Sequence, residues 1–456
     1  MIPKKFFFFL LFLPLFVFSQ EQKDTSRFRD LFTKAFFNAN LHSFFMATDN
    51  HQPLNDYYAW GNAAALWIIS GEWKGFRLTA GGSAVYNTIS SDLAKPDPLG
   101  GSASRYETEL FEITDPANKD VLPRFENLSL NYRCKKFHLE AGRFAPVTPF
   151  INTQDGRLRP GITEGISFWM DRHNNFELSG GWIERISPRS TVKFYKVQNS
   201  IGIYPQGVTP YGKRSQYRNN LRSDGIFYLQ AGYYFKYSQL KCSDFYADNI
   251  FNTAMLEWNA KIFPRITNAF TFDIFYVRQD AVNNGGNADP SKTYFTQGGR
   301  SNSGSVRLGF KESQFRIALA YSLITGDGRF LMPREWGAEP FYTFMQPERT
   351  EGCGNVQAIS LQTKVREKKK LSYSAAVGYF KMPDVLDCRL NKYGLPSFYQ
   401  LSTGLRYRIY REHSRFIVDA LYIYKGGVGN TYDNYKYIEN KVNMSHYNLI
   451  LNYYFD

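Results

Sequence analysis

The chain has 456 residues, a formal net charge of +14 and a mean hydropathy of -0.41. Aromatic residues make up 17% of it, with 40 Phe and 32 Tyr, and no apolar stretch beyond the N-terminus is long enough for a spanning helix. This excludes a helical membrane protein and disfavours an ordinary soluble domain, and it is typical of strands that are apolar on one face.

The N-terminus has the layout of a secretory signal. Lys4 and Lys5 precede an apolar run over residues 6–18, and Ser19 provides the small residue that signal peptidase requires. The run has about 13 residues, fewer than the roughly 20 of a spanning helix, which disfavours the alternative of an uncleaved membrane helix. We expect residues 1–19 to be removed as a signal peptide and the polar residues 20–35 to form a periplasmic lead-in.

From residue 36 onward, segments with alternating polarity follow one another. In residues 252–262, Leu256 and Trp258 share one face, whereas Glu257 and Asn259 share the other. The same period of two recurs in residues 269–277, 399–410 and the last ten residues. A period of two over eight to twelve residues predicts β-strands, of a length that crosses a bilayer when tilted.

The connections between these segments alternate in length. Short polar turns are predicted at 71–75, 133–136, 263–268, 311–314, 366–370 and 411–414. Much longer loops are predicted at 87–122, 145–164, 199–224, 278–302, 324–354 and 425–445. Short turns on one side and long loops on the other are typical of outer-membrane barrels, and lipid requires that such a sheet be closed.

The sequence therefore predicts an all-β fold, a closed antiparallel transmembrane β-barrel over residues 36–456. Counting strands gives eighteen or nineteen. Because bacterial single-chain barrels have even numbers, we discount one weak candidate between Gly165 and Gln198 and predict eighteen strands.

Charged residues alternate with apolar ones in the predicted strands. Since Arg or Lys facing lipid near the midplane costs about 2–4 kcal/mol, we expect these charges to face the lumen. The predicted lumen-lining residues are Glu257, Lys261, Asp273, Lys364, Arg406, Arg408 and Asp419.

The loop over residues 145–164 is the candidate constriction. It directly follows the predicted strand 137–144 and combines Pro, Gly and opposite charges, as a loop folded into a barrel requires. Opposed charges in a narrow aqueous passage select which solutes pass. The predicted constriction residues are Arg143, Asp155, Arg157, Arg159 and Glu164. An ordinary surface loop with internal salt bridges is the alternative.

No sequence motif indicates a catalytic site or a metal site. The six His residues show no metal-ligand spacing, there is no GxSxG, and no catalytic set can be chosen, so we predict no catalytic residue, metal or cofactor. The four Cys residues (Cys134, Cys242, Cys353 and Cys388) have no CxxC spacing, and a single disulfide remains possible.

Several segments resemble a known family, the OprD-type outer-membrane porins, over nearly all of the mature chain. They are Ser104–Glu107, Thr114–Pro116, Thr148–Phe150 through Glu164–Gly165, Pro333–Gly337, Asn391–Ser397 and the final strand Asn443–Phe455. The resemblance implies eighteen strands, a third long loop folded inward as an eyelet, and basic side chains that guide small carboxylate-bearing solutes without energy coupling.

We therefore predict an outer-membrane porin of a Gram-negative bacterium, passing small water-soluble solutes with a bias toward anions. Expected partners are outer-membrane lipids, lipopolysaccharide, the solutes and the barrel-assembly machinery, with no nucleic acid, and the porin is a monomer or a homotrimer. The alternatives are an outer-membrane lipase or protease, a surface adhesin with a plugged barrel, and a barrel for hydrophobic ligands.

Overall fold

A computed structural model describes residues 27–153, 157–263, 268–367 and 370–455. The predicted signal peptide (residues 1–19), the first part of the lead-in and the predicted constriction residue Asp155 lie outside the described residues.

Eighteen long strands build the wall in the described part of the chain. They are β1 (Phe36–Asp49), β2 (Tyr57–Ile69), β3 (Phe76–Ser90), β4 (Leu122–Cys134), β5 (Phe137–Phe144), β6 (Ile162–His173), β7 (Phe176–Ser187), β8 (Ile226–Tyr234), β9 (Ser238–Ala247), β10 (Phe251–Ile262), β11 (Asn268–Ala281), β12 (Arg300–Glu312), β13 (Phe315–Ile324), β14 (Val356–Glu367), β15 (Leu371–Lys381), β16 (Phe398–Arg411), β17 (Ser414–Gly427) and β18 (Met444–Phe455).

Each strand pairs antiparallel with its neighbours in the chain, and the first strand pairs with the last. The closing register between β1 and β18 runs from Ala39 opposite Phe455 to Asp49 opposite Ser445. The predicted closed barrel of eighteen strands is confirmed. The weak nineteenth strand corresponds to Tyr195–Lys196, a two-residue strand that pairs only with the end of β7.

Helices are few and short. Asp30–Thr33 (α1) lies in the predicted lead-in, and Val197–Ser200 (α2) lies in a long loop. Single turns of 3-10 helix occur at Glu107–Leu110 and Tyr435–Tyr437. Across the described ranges, no helix combines the length and the apolar character that crossing a bilayer demands.

The two ends of the barrel differ in their connections. One end carries the tight turns, including 135–136, 174–175, 313–314 and 412–413. The other end carries the long loops, including 91–121, 145–161, 188–225, 282–299, 325–355 and 428–443. The sequence did not indicate the loops at 50–56 and 382–397, and the connection 248–250 is short although it lies at the long-loop end. By this asymmetry the tight-turn end is periplasmic.

Side chains alternate across the wall. In β10, Leu256 and Trp258 are 48% and 42% exposed on the outer face, whereas Thr253 and Met255 are buried on the inner face. The outer face is apolar because it meets lipid, and the inner face is polar wherever loops do not cover it.

The hydrophobic core lies inside the long-loop end of the barrel, where loops pack on the inner wall. Phe150, Ile151, Trp336 and Phe341 come from two of these loops, and they pack with wall residues such as Phe275. The four Cys residues are free thiols, and Cys353 is buried in this core.

The alternation can be tested in β12. Leu308, 55% exposed on the outer face, lies beside the inward-facing Arg307. We expect Leu308→Lys to lower the free energy of unfolding in lipid by about 2–4 kcal/mol, because the charge would face hydrocarbon. The measurement is equilibrium refolding into vesicles, with Arg307→Lys as a control that keeps a cation inside. Equal folding of both variants would contradict the assigned faces.

Candidate channel constriction

Two loops meet inside the barrel. The connection 145–161 follows β5, and its residues Phe150 and Ile151 are buried. Asn152 joins it to the connection 325–355, since its backbone N–H donates to the Trp336 carbonyl (3.0 Å) and its side chain exchanges hydrogen bonds with the Ala338 backbone (2.9 and 3.1 Å). The two loops therefore form one unit.

Gly337 permits this close approach. A Cβ at Gly337 would lie 2.6 Å from the carbonyl oxygen of Phe150 and 2.8 Å from the backbone nitrogen of Asn152. Real Cβ atoms do not come this close to backbone atoms, so a larger residue would force the loops apart.

The loop 325–355 lies along the inner wall. The Tyr342 hydroxyl donates to Glu257 of β10 (2.8 Å), and the Tyr342 carbonyl accepts from Gln362 of β14 (3.0 Å). Further along, Gln400 of β16 donates to the Gln346 carbonyl (2.6 Å). These bonds to several strands fix the loop at depth in the barrel.

Between this loop and the strands β14–β18 lies a cavity of about 300 Å³. Its cationic lining residues are Arg157, Lys364 and Arg406, and Asp419 is its carboxylate. Phe44, Met46, Ile423 and Ile450 add apolar surface, and Gln346, His446 and Asn448 add neutral polar groups. Four predicted site residues thus meet at one cavity.

The cations of the wall are unequally neutralised. Arg406 lies opposite Asp419 in the register, and its guanidinium donates to that carboxylate (3.0 Å). Lys364 instead lies directly opposite Arg316 on β13, and Arg316 lies opposite Lys311 on β12. Lys311, Arg316 and Lys364 therefore form a row of like charges across three strands, and such directly opposed pairs repel each other. The row gives the inner wall an excess of positive potential.

Arg157 reaches the cavity from the loop 145–161. Its guanidinium lies 3.1 Å from the Met46 sulfur of β1, 3.3 Å from the Tyr106 carbonyl and 3.4 Å from the Glu109 carboxylate. Glu109 also pairs with Arg189. Arg157 therefore brings a cation to the loop side of the cavity, and Glu109 is shared between two guanidinium groups.

Arg159 does not reach the cavity, although it was predicted with Arg157. Its side chain is 1% exposed, and none of its three guanidinium nitrogens has a hydrogen-bond partner in the described structure. Burial and the nearby Arg124 guanidinium together lower the pKa of Arg159 to about 9, although Glu126 and Glu112 oppose the shift. Arg159 therefore contributes positive potential from behind the loop.

Arg143 and Glu164 form a pair, but on the other face of the wall. The Arg143 Nε donates to Glu164 (2.9 Å), and the two residues are opposite in the register. Arg143 also lies opposite Leu128, which is 53% exposed on the outer face. The prediction that the pair lines the constriction was wrong in its placement, because proximity to the loop in sequence does not fix the face.

The remaining predicted lumen residues lie on the inner face. Glu257 accepts from Tyr342, and Asp273 is paired with Arg307 (2.8 Å), whose guanidinium also lies 4.3 Å from the Tyr342 ring. Lys261 is exposed near the periplasmic end of β10. Arg408 is buried and donates to Ser372 (3.1 Å).

Sequence reasoning missed a buried ionic cluster above the cavity. Arg105 makes two hydrogen bonds to the Glu348 carboxylate (2.7 and 3.1 Å), and Lys425 adds a third (2.8 Å). These cations hold the pKa of Glu348 well below its usual range, against the effect of burial. The three residues are far apart in sequence, so no local pattern could have shown the cluster.

A second missed feature is a cage around Lys392. Its ammonium lies 5.0, 4.8 and 5.1 Å from the ring centroids of Tyr217, Tyr294 and Tyr393 and 3.6 Å from Glu351. Burial lowers the pKa of Lys392 to about 8, although the Glu351 carboxylate opposes this. The cage joins the loops 188–225, 282–299, 325–355 and 382–397.

The fold and the site together define a class. A closed barrel of eighteen strands, with inward loops that narrow it beside a charged cavity, is an outer-membrane channel. A family model described as outer membrane porin, OprD family, matches residues 99–347, which is more than half of the chain. The chain belongs to the OprD family of outer-membrane porins.

Solved structures share the fold. The Acinetobacter baumannii protein OccAB3 has a TM-score of 0.71 at 16% identity, with 93% of this chain and 99% of that chain covered. Pseudomonas aeruginosa OccK2 (OpdF), in complex with glucuronate, has a TM-score of 0.67 at 13% identity, covering 93% and 98%.

Pseudomonas aeruginosa OpdK, solved with vanillate, has a TM-score of 0.67 at 13% identity, with 92% of this chain and 98% of that chain covered. No curated protein matches the sequence. At these identities the structures establish the shared fold, and the family model establishes the family.

The Lys392 cage should hold the outer loops together. We expect Lys392→Met to destabilise the loop assembly by roughly 2–4 kcal/mol, because the cation–π contacts and the buried ion pair are lost. Protease cleavage within the four loops and current noise in the open channel should both rise. Lys292→Met, at a partly exposed loop lysine paired with Asp289, is the control. Cleavage equal to the wild type would contradict the role of the cage.

Glu339 should make the loop 325–355 sensitive to pH. Its carboxylate accepts from the backbone N–H groups of Thr350 (2.9 Å) and Glu351 (3.0 Å), and burial raises its pKa to about 7 while Arg349 opposes the shift. Because the pKa of the acid is raised in the folded state, its contribution to stability is complete below the unfolded value near 4.5 and is lost as the pH rises through 7.

The measurement is hydrogen-exchange protection of the Thr350 and Glu351 amides between pH 5.5 and 8.5, corrected for intrinsic exchange. We expect protection to fall as the pH rises in the wild type and to vary much less in Glu339→Gln. The same pH dependence in both proteins would show that another group controls this loop.

Proposed function

We propose that this porin passes small solutes that carry a carboxylate or another anionic group, by passive diffusion. The observation that carries the proposal is the cavity in which Arg157, Lys364 and Arg406 face one carboxylate among the described residues, Asp419. Asp419 is engaged by Arg406, whereas Lys364 lies opposite Arg316 and Ser374 in the register, so Lys364 supplies net attraction for an anion and Arg157 adds a cation from the loop.

The apolar part of the cavity suits the body of a small organic anion. Phe44, Met46, Ile423 and Ile450 can contact the carbon skeleton while the cations bind the carboxylate. The OccK2 and OpdK structures contain glucuronate and vanillate, which are organic acids of this kind. They support the same class of solute for this chain.

We further propose that the protein is not an enzyme, and that its partners are outer-membrane lipids, lipopolysaccharide and the barrel-assembly machinery. Among the residues that the structure describes, no group of three or more His, Cys, Asp or Glu side chains could hold a metal ion. A measurement of the size of the porin in native membranes distinguishes a monomer from a homotrimer.

The test is single-channel recording in a planar bilayer under a salt gradient, with small carboxylates added as blockers. We expect Arg157→Gln and Lys364→Gln each to weaken carboxylate block roughly five- to tenfold, equivalent to about 1 kcal/mol for a partly solvated charge pair. The reversal potential should move toward cation preference.

Lys292→Gln, at a partly exposed cation in the loop 282–299, is the matched control for total charge and should change neither property. Unchanged block in both cavity variants would overturn the assignment of the cations. A folded barrel that inserts and never conducts would overturn the channel itself and favour a plugged adhesin.

A further inference from the structure

The periplasmic rim near the N-terminus carries an aromatic cluster that the channel does not use. Phe28 packs edge-on against Trp73 (centroids 5.2 Å apart) and against Phe32 (5.8 Å). Phe28 and Phe32 nevertheless remain 58% and 71% exposed. Large aromatic side chains left this exposed mark a surface that contacts something apolar.

The register shows which way this cluster faces. Trp73 and Phe76 form an antiparallel bridge, so their side chains lie on one face. Phe76 precedes the outward-facing Leu78 by two positions, and its ring lies 4.7 Å from that of Tyr132. Phe28 therefore packs on the outer face of the barrel and extends the lipid-facing surface, rather than lying under the channel mouth.

The chain holds the segment 27–35 in this position. The Gly71 N–H donates to the Leu31 carbonyl (3.0 Å), and Leu31 is buried. A Cβ at Gly71 would lie 2.0 Å from the Asp30 carbonyl oxygen, so glycine is required there. The docking is thus specific and is not a loose tail lying against the turn.

The charge around the cluster is basic. Arg27, Arg29 and Lys34 lie on the same segment as Phe28 and Phe32, and Lys74 lies 5.5 Å from the Trp73 centroid. The two nearby carboxylates are engaged, since Asp30 pairs with Lys34 (3.0 Å) and Glu72 pairs with Arg77 (3.5 Å). Aromatic rings beside basic side chains match the interface of a leaflet that contains anionic phospholipids.

We propose that residues 27–35, together with Trp73 and Lys74, form an interfacial anchor that inserts Phe28 and Phe32 into the phospholipid headgroup region of the periplasmic leaflet. The anchor is continuous with the lipid-facing wall, where Phe37 (63% exposed) lies opposite Ile68 at the same edge. It holds the N-terminal segment away from the channel exit.

The test uses the full chain in vesicles. In a background with Cys134→Ser, Cys242→Ser and Cys388→Ser, Thr33→Cys carries an environment-sensitive fluorophore, and phospholipids spin-labelled at the headgroup act as quenchers. We expect at least twofold stronger quenching than in the same protein with Phe28→Ser and Phe32→Ser. Phe263→Ser removes a ring that is 80% exposed in another periplasmic turn and should leave the quenching unchanged.

A second arm compares vesicles of phosphatidylcholine alone with vesicles that contain phosphatidylglycerol. Stronger quenching with phosphatidylglycerol supports the role of the basic residues, and equal quenching would overturn it. Channel conductance shows that each variant is folded. A fluorophore that is quenched by aqueous iodide and not by lipid, in a conducting channel, would overturn the anchor and indicate a water-exposed surface available to a periplasmic protein.

Discussion

The structure depends on closure of the backbone hydrogen bonds between β1 and β18. In hydrocarbon, each unpaired N–H or C=O group costs several kcal/mol. The last strand of a sheet that spans a bilayer therefore has to pair with the first. The register from Ala39–Phe455 to Asp49–Ser445 achieves this. The register also fixes the face on which the wall residues lie, because side chains alternate along each strand except at bulges such as those at Trp60/Gly61 and Gly81/Gly82. The lumen charges are a consequence of that register, and so is the apolar exterior.

Much of the fold was predictable from sequence because the same alternation is visible in the residues. The strand predicted at 137–144 has those bounds, and the segments at 252–262, 269–277 and 399–410 lie within strands. The asymmetry of turns and loops was predictable for the same reason, since loops lack the period of two. The loop at 382–397 was not predictable in this way. Pro, Gly and Cys residues interrupt the alternation there, but they do not indicate a loop that reaches the core.

The site residues were predictable only where they lie on strands. Alternation alone placed Lys364, Arg406 and Asp419 toward the lumen, and the structure brings them to one cavity. Arg143 and Glu164 show the opposite case, since they adjoin the loop in sequence but the register turns them outward. Arg157 and Arg159 lie two residues apart in a loop, and one reaches the cavity while the other is buried. The tertiary structure decides that difference, since Arg157 contacts Met46 of β1 whereas Arg159 is buried behind the loop, and no pattern in the sequence shows this.

Selectivity in such a channel requires a moderate attraction between the channel and the solute. A site that binds an anion too tightly blocks the passage, and conduction requires that the solute also leave. The cavity meets this condition by partial neutralisation, because Asp419 compensates Arg406, and Glu109 is shared between Arg157 and Arg189. Lys364 lies opposite Arg316 and Ser374, so no directly opposed carboxylate cancels its positive potential.

The cations of the channel differ in how they are held. Lys364 and Arg406 lie on strands, so their positive potential is fixed in position. Arg157 lies in the loop 145–161, so its position depends on the contacts that hold the loops. On the proposed function, we expect the Lys392 cage and the cluster around Glu348 to affect transport without touching the solute, since they join the loops that lie inside the barrel.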